Sequence, residues 1–351
     1  MKKTVLLLCG GYSEEHQVSL RSGLSVIAQF PTERFNLLPV VVDRCGGWWT
    51  GDPLVSDLED PKKIKISPNL RPVSLKNKQV DGQVIDCVFS VLHGQFGEDG
   101  CMQGLFEMAG IPQVGSGVLG SAMAMDKDVT KRLVMFEGIN TAPYLCLRST
   151  DQGFPSYAEA TKKLGGTLFI KPASQGSSVG ISKATDEVSY QQGIKLAFQF
   201  DRKVLVEQAI VGREIELAVL GNHHPVVSVP GEIKVTEDFY SYEAKYILEN
   251  TGLEIPAELP ESTTTALQEA ATQVFTCLEL SGLARVDFFL DEQSQIWLNE
   301  PNSLPGFTSI SMYAKLFEAS GIAYPELLTR LVELALEKHA PQAASPSDTS
   351  L

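Results

Sequence analysis

Across residues 1–115 the spacing of apolar positions switches between two periods, which predicts strands and helices in turn. Residues 3–9 are a mostly apolar run broken by Gly10-Gly11, and Leu20, Leu24, Ile27 and Ala28 then fall on one face of a helix. Residues 37–42 read as a second strand. Residues 84–92 are a third, largely apolar, as expected of a strand buried on both faces of a parallel sheet. His93-Gly94 stands where that strand would end. Asp99-Gly100 then leads into a helix over 102–108 that Gly110 stops. Residues 43–83, with Gly46-Gly47-Trp48-Trp49 and many Pro and Lys residues, read as an elaborated surface connection.

From Ser116 the pattern changes. A helix ends at Gly138, and short strands are predicted at 143–147, 167–171, 180–183 and 204–208, which suits a small α+β unit. A third block has a strand at 214–220, a polar and aromatic loop at 234–249 and a helix at 263–280. A strand pair follows at 284–290 and 295–299, then a last helix at 324–339. The stripe Leu327, Leu328, Leu331 and Leu334 on that helix is core. The expected division is 1–115 for an α/β unit, 116–210 for a central α+β unit and 211–340 for a second α+β unit. Residues 341–351 form a Ser- and Pro-rich tail expected to be disordered. No internal repeat is visible.

At 351 residues the chain is long enough for two or three domains. Its 43% apolar and 21% charged residues are ordinary for a globular protein. The net charge of −14 would repel a phosphate backbone and argues against nucleic acid and anionic membranes as partners. The opening Met1-Lys2-Lys3 and its apolar run could begin a signal peptide, but Gly10-Gly11 and Glu14-Glu15 cut the run short and no small-residue cleavage site follows. No stretch approaches the ~18 apolar residues of a membrane span. Six scattered cysteines lack the spacing of a disulfide framework or zinc site, which points to the reducing cytoplasm.

Chemistry is concentrated in a few segments. Residues two apart in a strand share a face, so Arg285 and Asp287 point together while Ala284, Val286, Phe288 and Leu290 fill the opposite side. Glu300 and Asn302 share one side of the next strand, and residues 291–294 supply a turn, so a hairpin is predicted. Asp287 then lies within a diagonal neighbour's reach of Glu300, about 7 Å or less. Two carboxylates about 4 Å apart repel by roughly 4 kcal/mol at an effective dielectric of about 20. A hard cation relieves that, and magnesium suits two carboxylates, an amide and nucleotide phosphates. A solvated hairpin of idle charges is the alternative. Pro301 and Pro305-Gly306 are expected to form a rigid loop beside it.

Residues 171–180, Lys-Pro-Ala-Ser-Gln-Gly-Ser-Ser-Val-Gly, place a lysine and unencumbered amides between two strands, where phosphate oxygens could approach. A generic turn has the same composition, and the Walker pattern is absent. After the first strand, Glu15 could hold a substrate ammonium at the carboxyl end of a parallel sheet, or could serve with Glu14 as a helix-start acid. The glycines of a dinucleotide fingerprint are missing there. His93 fits either a satisfied structural histidine or a site residue beside the loop 97–100. The loop 239–246 suits a mobile lid or a partner contact.

Seven segments in order resemble the D-alanine–D-alanine ligases of the ATP-grasp superfamily: GGYSEEHQVS, LHGQFGEDG, GSGVLGSAMAMDK, KPASQGSSVG, YEAKY, RVDFFL and NEPNSLPGFTS. The resemblance runs from about residue 3 to 338. It implies a three-domain ATP-grasp architecture with a Rossmann-like parallel-sheet domain first, and α/β and α+β units overall. It implies that Lys127, Lys171 and Ser178 meet nucleotide phosphates and that Glu207, Gln208, Ile210 and Glu214 hold adenine and ribose. Lys245 would reach a phosphate from the lid. Asp287, Glu300 and Asn302 would hold two magnesium ions, with manganese able to substitute. Glu15 and His93 would bind the first D-alanine, and Glu15, Ser177 and Tyr246 would form a hydrogen-bonded latch. Arg285 and the Gly306 amide would stabilise the oxyanion, and Ser311 and Met312 would seat the second carboxylate.

The implied reaction is ATP-driven joining of two D-alanine molecules through an acyl phosphate, for peptidoglycan synthesis, by a cytoplasmic homodimer. The departures are Gln17, where an acidic residue is common, and Ala173 and Gln175 in the phosphate loop. Residues 43–83 resemble the longer form of the family. Tyr246 favours a dipeptide product over D-alanyl–D-lactate, whose ligases carry Phe there or a different lid. A catalytically silent nucleotide-binding regulator would be expected to lack Asp287, Glu300 or Arg285, and all three are present.

Overall fold

The computed structural model describes residues 2–51, 54–56, 64–66, 70–234, 252–308 and 311–340. Lys245, Tyr246 and the tail 341–351 lie outside the described residues.

The first sheet has the order β6-β3-β2-β1-β9. It comprises β1 (Thr4–Gly10), β2 (Asn36–Val42), β3 (Trp48–Thr50), β6 (Arg71–Val73) and β9 (Cys87–Ser90). β1 runs parallel to both β2 and β9, as the apolar runs predict. The reason is visible in β1, whose residues alternate between two cores. Val5, Leu7 and Cys9 pack with Leu20 and Val26 of α1 (His16–Gln29), while Leu6 and Leu8 pack with Phe106 of α2 (Cys101–Ala109).

The segment 43–83 does more than connect. β3 and β6 add antiparallel strands to the sheet edge. Two short pairs, β4 (Leu54–Ser56) with β5 (Ile64–Ile66) and β7 (Gln79–Val80) with β8 (Gln83–Val84), stand apart from it. The predicted strand over 84–92 is therefore shorter, because Val84 belongs to the β7–β8 hairpin. Gly10 ends β1 at φ +95°, and a Cβ there would sit 2.2 Å from the Val42 carbonyl oxygen, so only glycine closes this turn.

Two helices, not one, precede Gly138: α3 (Val118–Met125) and α4 (Lys127–Phe136). Asp126 divides them. Its extended backbone breaks α3, and its carboxylate accepts from the N–H groups of Asp128 and Val129 to cap α4.

The second sheet is antiparallel, ordered β10-β13-β11-β12. Its strands are β10 (Tyr144–Arg148), β11 (Leu168–Pro172), β12 (Ser182–Ala184) and β13 (Lys203–Gln208). α5 (Tyr157–Leu164) and α6 (Glu187–Ala197) cover one face through Ala160, Leu164, Tyr190 and Ile194. The opposite face, carrying Lys171 and Glu207, is left for the cavity described below.

The third sheet is ordered β17-β16-β14-β18-β19, with β15 paired to β14. Its strands are β14 (Arg213–Gly221), β15 (Val226–Val227), β16 (Gly231–Lys234), β17 (Gly252–Glu254), β18 (Gly282–Leu290) and β19 (Ile296–Asn302). α7 (Glu261–Cys277) packs on one face, where Ala284, Val286, Phe288 and Leu290 are core as the alternation predicts. Ala124 and Val134 of α3 and α4 join the same cluster. Pro301 lies within β19 and not in a loop; β19 is the sheet edge, where a missing N–H leaves no ladder bond unmade.

α8 (Met312–Ala319) and α9 (Tyr324–Lys338) close the structure. Leu327, Leu328, Leu331 and Val332 of α9 share one cluster with Val5 and Leu7 of β1, Phe89 of β9 and Leu283 of β18. The last helix thus joins the first sheet to the third. Among the described residues no helix is long and apolar enough to cross a membrane, and all six cysteines are free. Leu331 is fully buried at that junction, so Leu331→Ala is expected to cost about 2–5 kcal/mol. Urea unfolding reads this as a lower midpoint, and a loss under about 1 kcal/mol would mean that the junction is not a shared core.

Candidate active site

A cavity of about 720 Å³ lies between the second and third sheets. Lys171, Ser177 and Glu207 line one wall, and Glu214, Glu216 and Glu300 the other.

The third-sheet wall is set by register. Glu216 pairs with Asp287, and Asp287 pairs with Glu300, so three carboxylates stand in one row across three strands. Asp287 and Glu300 are directly opposite, closer than the diagonal spacing expected from sequence. Like charges so placed repel, and Arg285 offsets the repulsion. Its Nε and Nη2 each donate to Asp287 at 2.7 Å, and its Nε lies 3.0 Å from Glu216. Asn302, opposite Arg285, donates to Asp287 Oδ2 at 2.9 Å. Lys127, the first residue of α4, places Nζ 3.4 Å from Glu300 and donates to the Gln175 carbonyl at 2.7 Å.

The donor set of Asp287, Glu300 and Asn302 fits a hard cation. Each carboxylate oxygen carries two lone pairs, so Asp287 can serve Arg285 and a metal together. Among the described residues no three His, Cys, Asp or Glu side chains form a metal-ligating group. A cation there would therefore complete its shell from phosphate oxygens or water.

Across the cavity, Glu207 is clamped between two lysines. Lys171 Nζ lies 2.8 Å from Oε2 and Lys131 Nζ 3.1 Å from Oε1. Burial alone would raise the Glu207 carboxyl, yet Lys131 and Lys171 hold it at about 2. Burial opposes the charge on both lysines. For Lys171 the attraction of Glu207, with Glu300 and Glu214, outweighs it and the pKa rises, whereas for Lys131 burial, with the charges of Lys171 and Lys127, prevails over Glu207 and the pKa falls. Gln208 and Ile210 follow along the cavity wall, where Gln208 donates its main-chain N–H to the Pro143 carbonyl.

The loop between β11 and β12 brings the first sheet to this cavity. Ser177 and Ser178 adopt left-handed φ values of 49° and 60°. Ser177 Oγ donates to the Glu15 carboxylate, which begins α1. Glu15 is the N-cap residue of α1 but makes no capping bond with its side chain, which meets Ser177 instead. Gly94 permits this approach, because a Cβ there would meet Glu15 Oε2 at 2.7 Å. Glu98 lies close by and accepts from the Gly94 N–H at 2.7 Å; burial and then the Glu15 charge push its carboxyl well above the usual range.

His93 is buried, and burial lowers its pKa to about 4, so the ring is neutral at neutral pH. Its Nε2 is 3.0 Å from Ser22 Oγ, which accepts from the Phe307 N–H at 3.2 Å. His93 thus supports the loop that carries Gly306. Beyond that loop, Ser311 Oγ lies 2.7 Å from Thr308 Oγ1 and accepts from the Thr308 N–H. The Met312 side chain is core, so a ligand could meet only its main chain at the start of α8.

The structure therefore brings Glu15, His93, Lys127, Lys171, Ser177, Ser178, Glu207, Glu214, Arg285, Asp287, Glu300 and Asn302 around one connected region. Lys131 and Glu216 were missed. Each had a signal: Lys131 is four residues from Lys127 on a helix, and Glu216 repeats Glu214 at strand spacing.

Comparison with known proteins agrees with this arrangement. Residues 4–116 match the family model described as the D-ala D-ala ligase N-terminus, and residues 133–333 match the D-ala D-ala ligase C-terminus. The chain is 46% identical to the D-alanine–D-alanine ligase of Oceanobacillus iheyensis, covering 97% of this chain and 96% of that one. It is 44% identical to D-alanine–D-alanine ligase A of Escherichia coli K12, covering 98% of each. The solved D-alanine–D-alanine ligase of Coxiella burnetii superposes with a TM-score of 0.83 at 34% identity, over 96% of both chains. The VanG D-Ala:D-Ser ligase of Enterococcus faecalis gives 0.83 at 34%, over 95% of this chain and all of that one. With both halves matched in order and relatives aligned end to end, the chain belongs to the D-alanine–D-alanine ligase family.

Proposed function

We propose that this enzyme uses ATP to join two molecules of D-alanine, giving D-alanyl-D-alanine for peptidoglycan precursors, with ADP and phosphate released. The contact from Ser177 to Glu15 carries the reading, because it joins an amino-acid site at the end of β1 to the lysine-lined cavity. We read the chain as three units over 1–115, 116–210 and 211–340, acting in the cytoplasm as a homodimer. VanG is as similar in shape as the dipeptide ligase, so shape does not choose the acceptor. The closer sequence relatives bear the D-alanine–D-alanine name, which favours D-alanine over D-lactate or D-serine.

In this reading Lys127, Lys171 and Ser178 hold the phosphates, and Glu207, Gln208, Ile210 and Glu214 hold adenine and ribose. Glu15, supported by His93, orients the first D-alanine, whose carboxylate attacks the γ-phosphate to give an acyl phosphate. The amine of the second D-alanine, seated by Ser311 and the main chain of Met312, then attacks that carbonyl and phosphate leaves. Arg285 is suited to the developing oxyanion. It is already fixed by Asp287 and Glu216, and a guanidinium has five donors, so it need not reorganise as charge appears. The Gly306 amide acts with it. The family resemblance gives Lys245 a phosphate contact and Tyr246 a part in the latch, and water must be kept from the acyl phosphate, which it would otherwise hydrolyse. Asp287, Glu300 and Asn302 would hold two magnesium ions, or manganese in their place, which supply positive charge to the transferring phosphoryl group.

Phosphate release at neutral pH is expected to require D-alanine and a divalent cation, to cease with a chelator and to return with magnesium or manganese. D-lactate matching D-alanine at the second site would remove the dipeptide assignment, and D-serine matching it would remove D-alanine as the specific acceptor. Glu300→Gln and Lys245→Ala are expected to fold and to turn over about 10²–10³-fold more slowly; wild-type rates in either would overturn the site map. Because His93 charges only near pH 4, His93→Gln should lower the rate without moving the pH profile between about 5.5 and 8. A displaced acid limb in that variant would show that His93 titrates in the working range.

A further inference from the structure

In the wall of the nucleotide cavity, Lys131 makes a contact that the reaction as proposed does not use. It lies one helical turn beyond Lys127 on α4, so both ammonium groups leave the helix on one face. Lys127 reaches the carboxylate row, whereas Lys131 is enclosed. Its side chain keeps 3% of its exposure and that of Glu207 5%, against 13% for Lys171. Lys131 Nζ donates to the Ala142 carbonyl at 3.3 Å and lies 5.5 Å from the centre of the Tyr144 ring. All three side chains line the cavity, and Lys131 and Glu207 are the more enclosed members of the chain Lys131–Glu207–Lys171.

We propose that Lys131 is a positioning residue for the nucleotide, acting through Glu207 to fix the Lys171 ammonium at the cavity wall. The inference rests on the nucleotide reading of that cavity.

The geometry explains why a second lysine is needed. A carboxylate turns readily about its last bond, so Glu207 held by Lys171 alone would follow that lysine wherever it moved. Lys131 anchors Oε1 and leaves Oε2 to meet Lys171 in one place. Glu300 and Glu214 also attract the Lys171 ammonium. With Glu207 unanchored, that ammonium would be drawn across the space the phosphates must enter. Lys131 has no direct part in the reaction as proposed, and it lines the nucleotide cavity, so its effect falls on nucleotide binding.

The test compares steady-state kinetics of Lys131→Met, Glu207→Gln and the double variant, each shown to be folded by circular dichroism and melting. Losing one buried ion pair from this chain should raise KM for ATP by about tenfold or more. KM for D-alanine should stay within about twofold, and the double variant should be no worse than the poorer single one, because the two residues act in series. An unchanged KM for ATP in Lys131→Met overturns the inference. So do equal rises for both substrates, or additive effects in the double variant. If Lys131→Met does not fold, Lys131→Met/Glu207→Leu removes the buried charges together and takes its place; a wild-type KM for ATP there overturns the inference too. Lys171→Met separates this result from the reading beneath it. An unaffected KM for ATP in that variant would overturn the cavity assignment, whereas a rise there with none in Lys131→Met would overturn only the role of Lys131.

Discussion

Three carboxylates in one row across β14, β18 and β19 are the constraint around which the site is organised. Antiparallel register sets Glu216 beside Asp287 and Asp287 beside Glu300. Neighbouring charges at such spacing repel by a few kcal/mol at an effective dielectric of about 20. The fold balances them from both directions: Arg285, two residues along β18 from Asp287, forks onto Asp287 and pairs with Glu216, and Lys127 reaches Glu300 from α4. A row balanced in this way remains rich in oxygen donors, which suits cations and phosphates, and it holds Arg285 rigid as a donor. Stability and the proposed catalysis therefore draw on the same cluster.

The mirror arrangement on the second sheet is a carboxylate between two cations. Glu207 stays ionised although buried because Lys131 and Lys171 together overcome the desolvation that would protonate it. The cavity thus has an acidic wall carrying cations and a basic wall carrying an anion. Neither wall forms from one sheet alone, because Lys127 and Lys131 come from a helix whose apolar side packs with the third sheet's core.

Two polar connections tie the first sheet to this cavity. Ser177 meets Glu15, and His93 reaches the Gly306 loop through Ser22 and the Phe307 amide. Apolar burial reinforces them, since α9 packs against β1, β9 and β18 in one cluster. In the proposed reading, an amino acid at the end of β1 would thereby be kept at a fixed distance from Arg285 and the Gly306 loop.

The sequence by itself determined the parallel sheet, through apolar runs that only a strand covered on both faces requires. It determined the 284–302 hairpin and the shared side of Arg285 and Asp287, through strict period-two alternation. Its order of motifs also pointed to the family. Helices α5, α6 and α8 went unread, although Ser156 and Glu159 form a capping box that the spacing displays. Only the tertiary structure decided that Asp287 faces Glu300 directly, that Pro301 lies in an edge strand, that the Glu15 side chain meets Ser177, and that Lys131 pairs with Glu207. These depend on register and on contacts between distant segments. Local periodicity records which face a residue occupies, and it carries no information about what stands opposite.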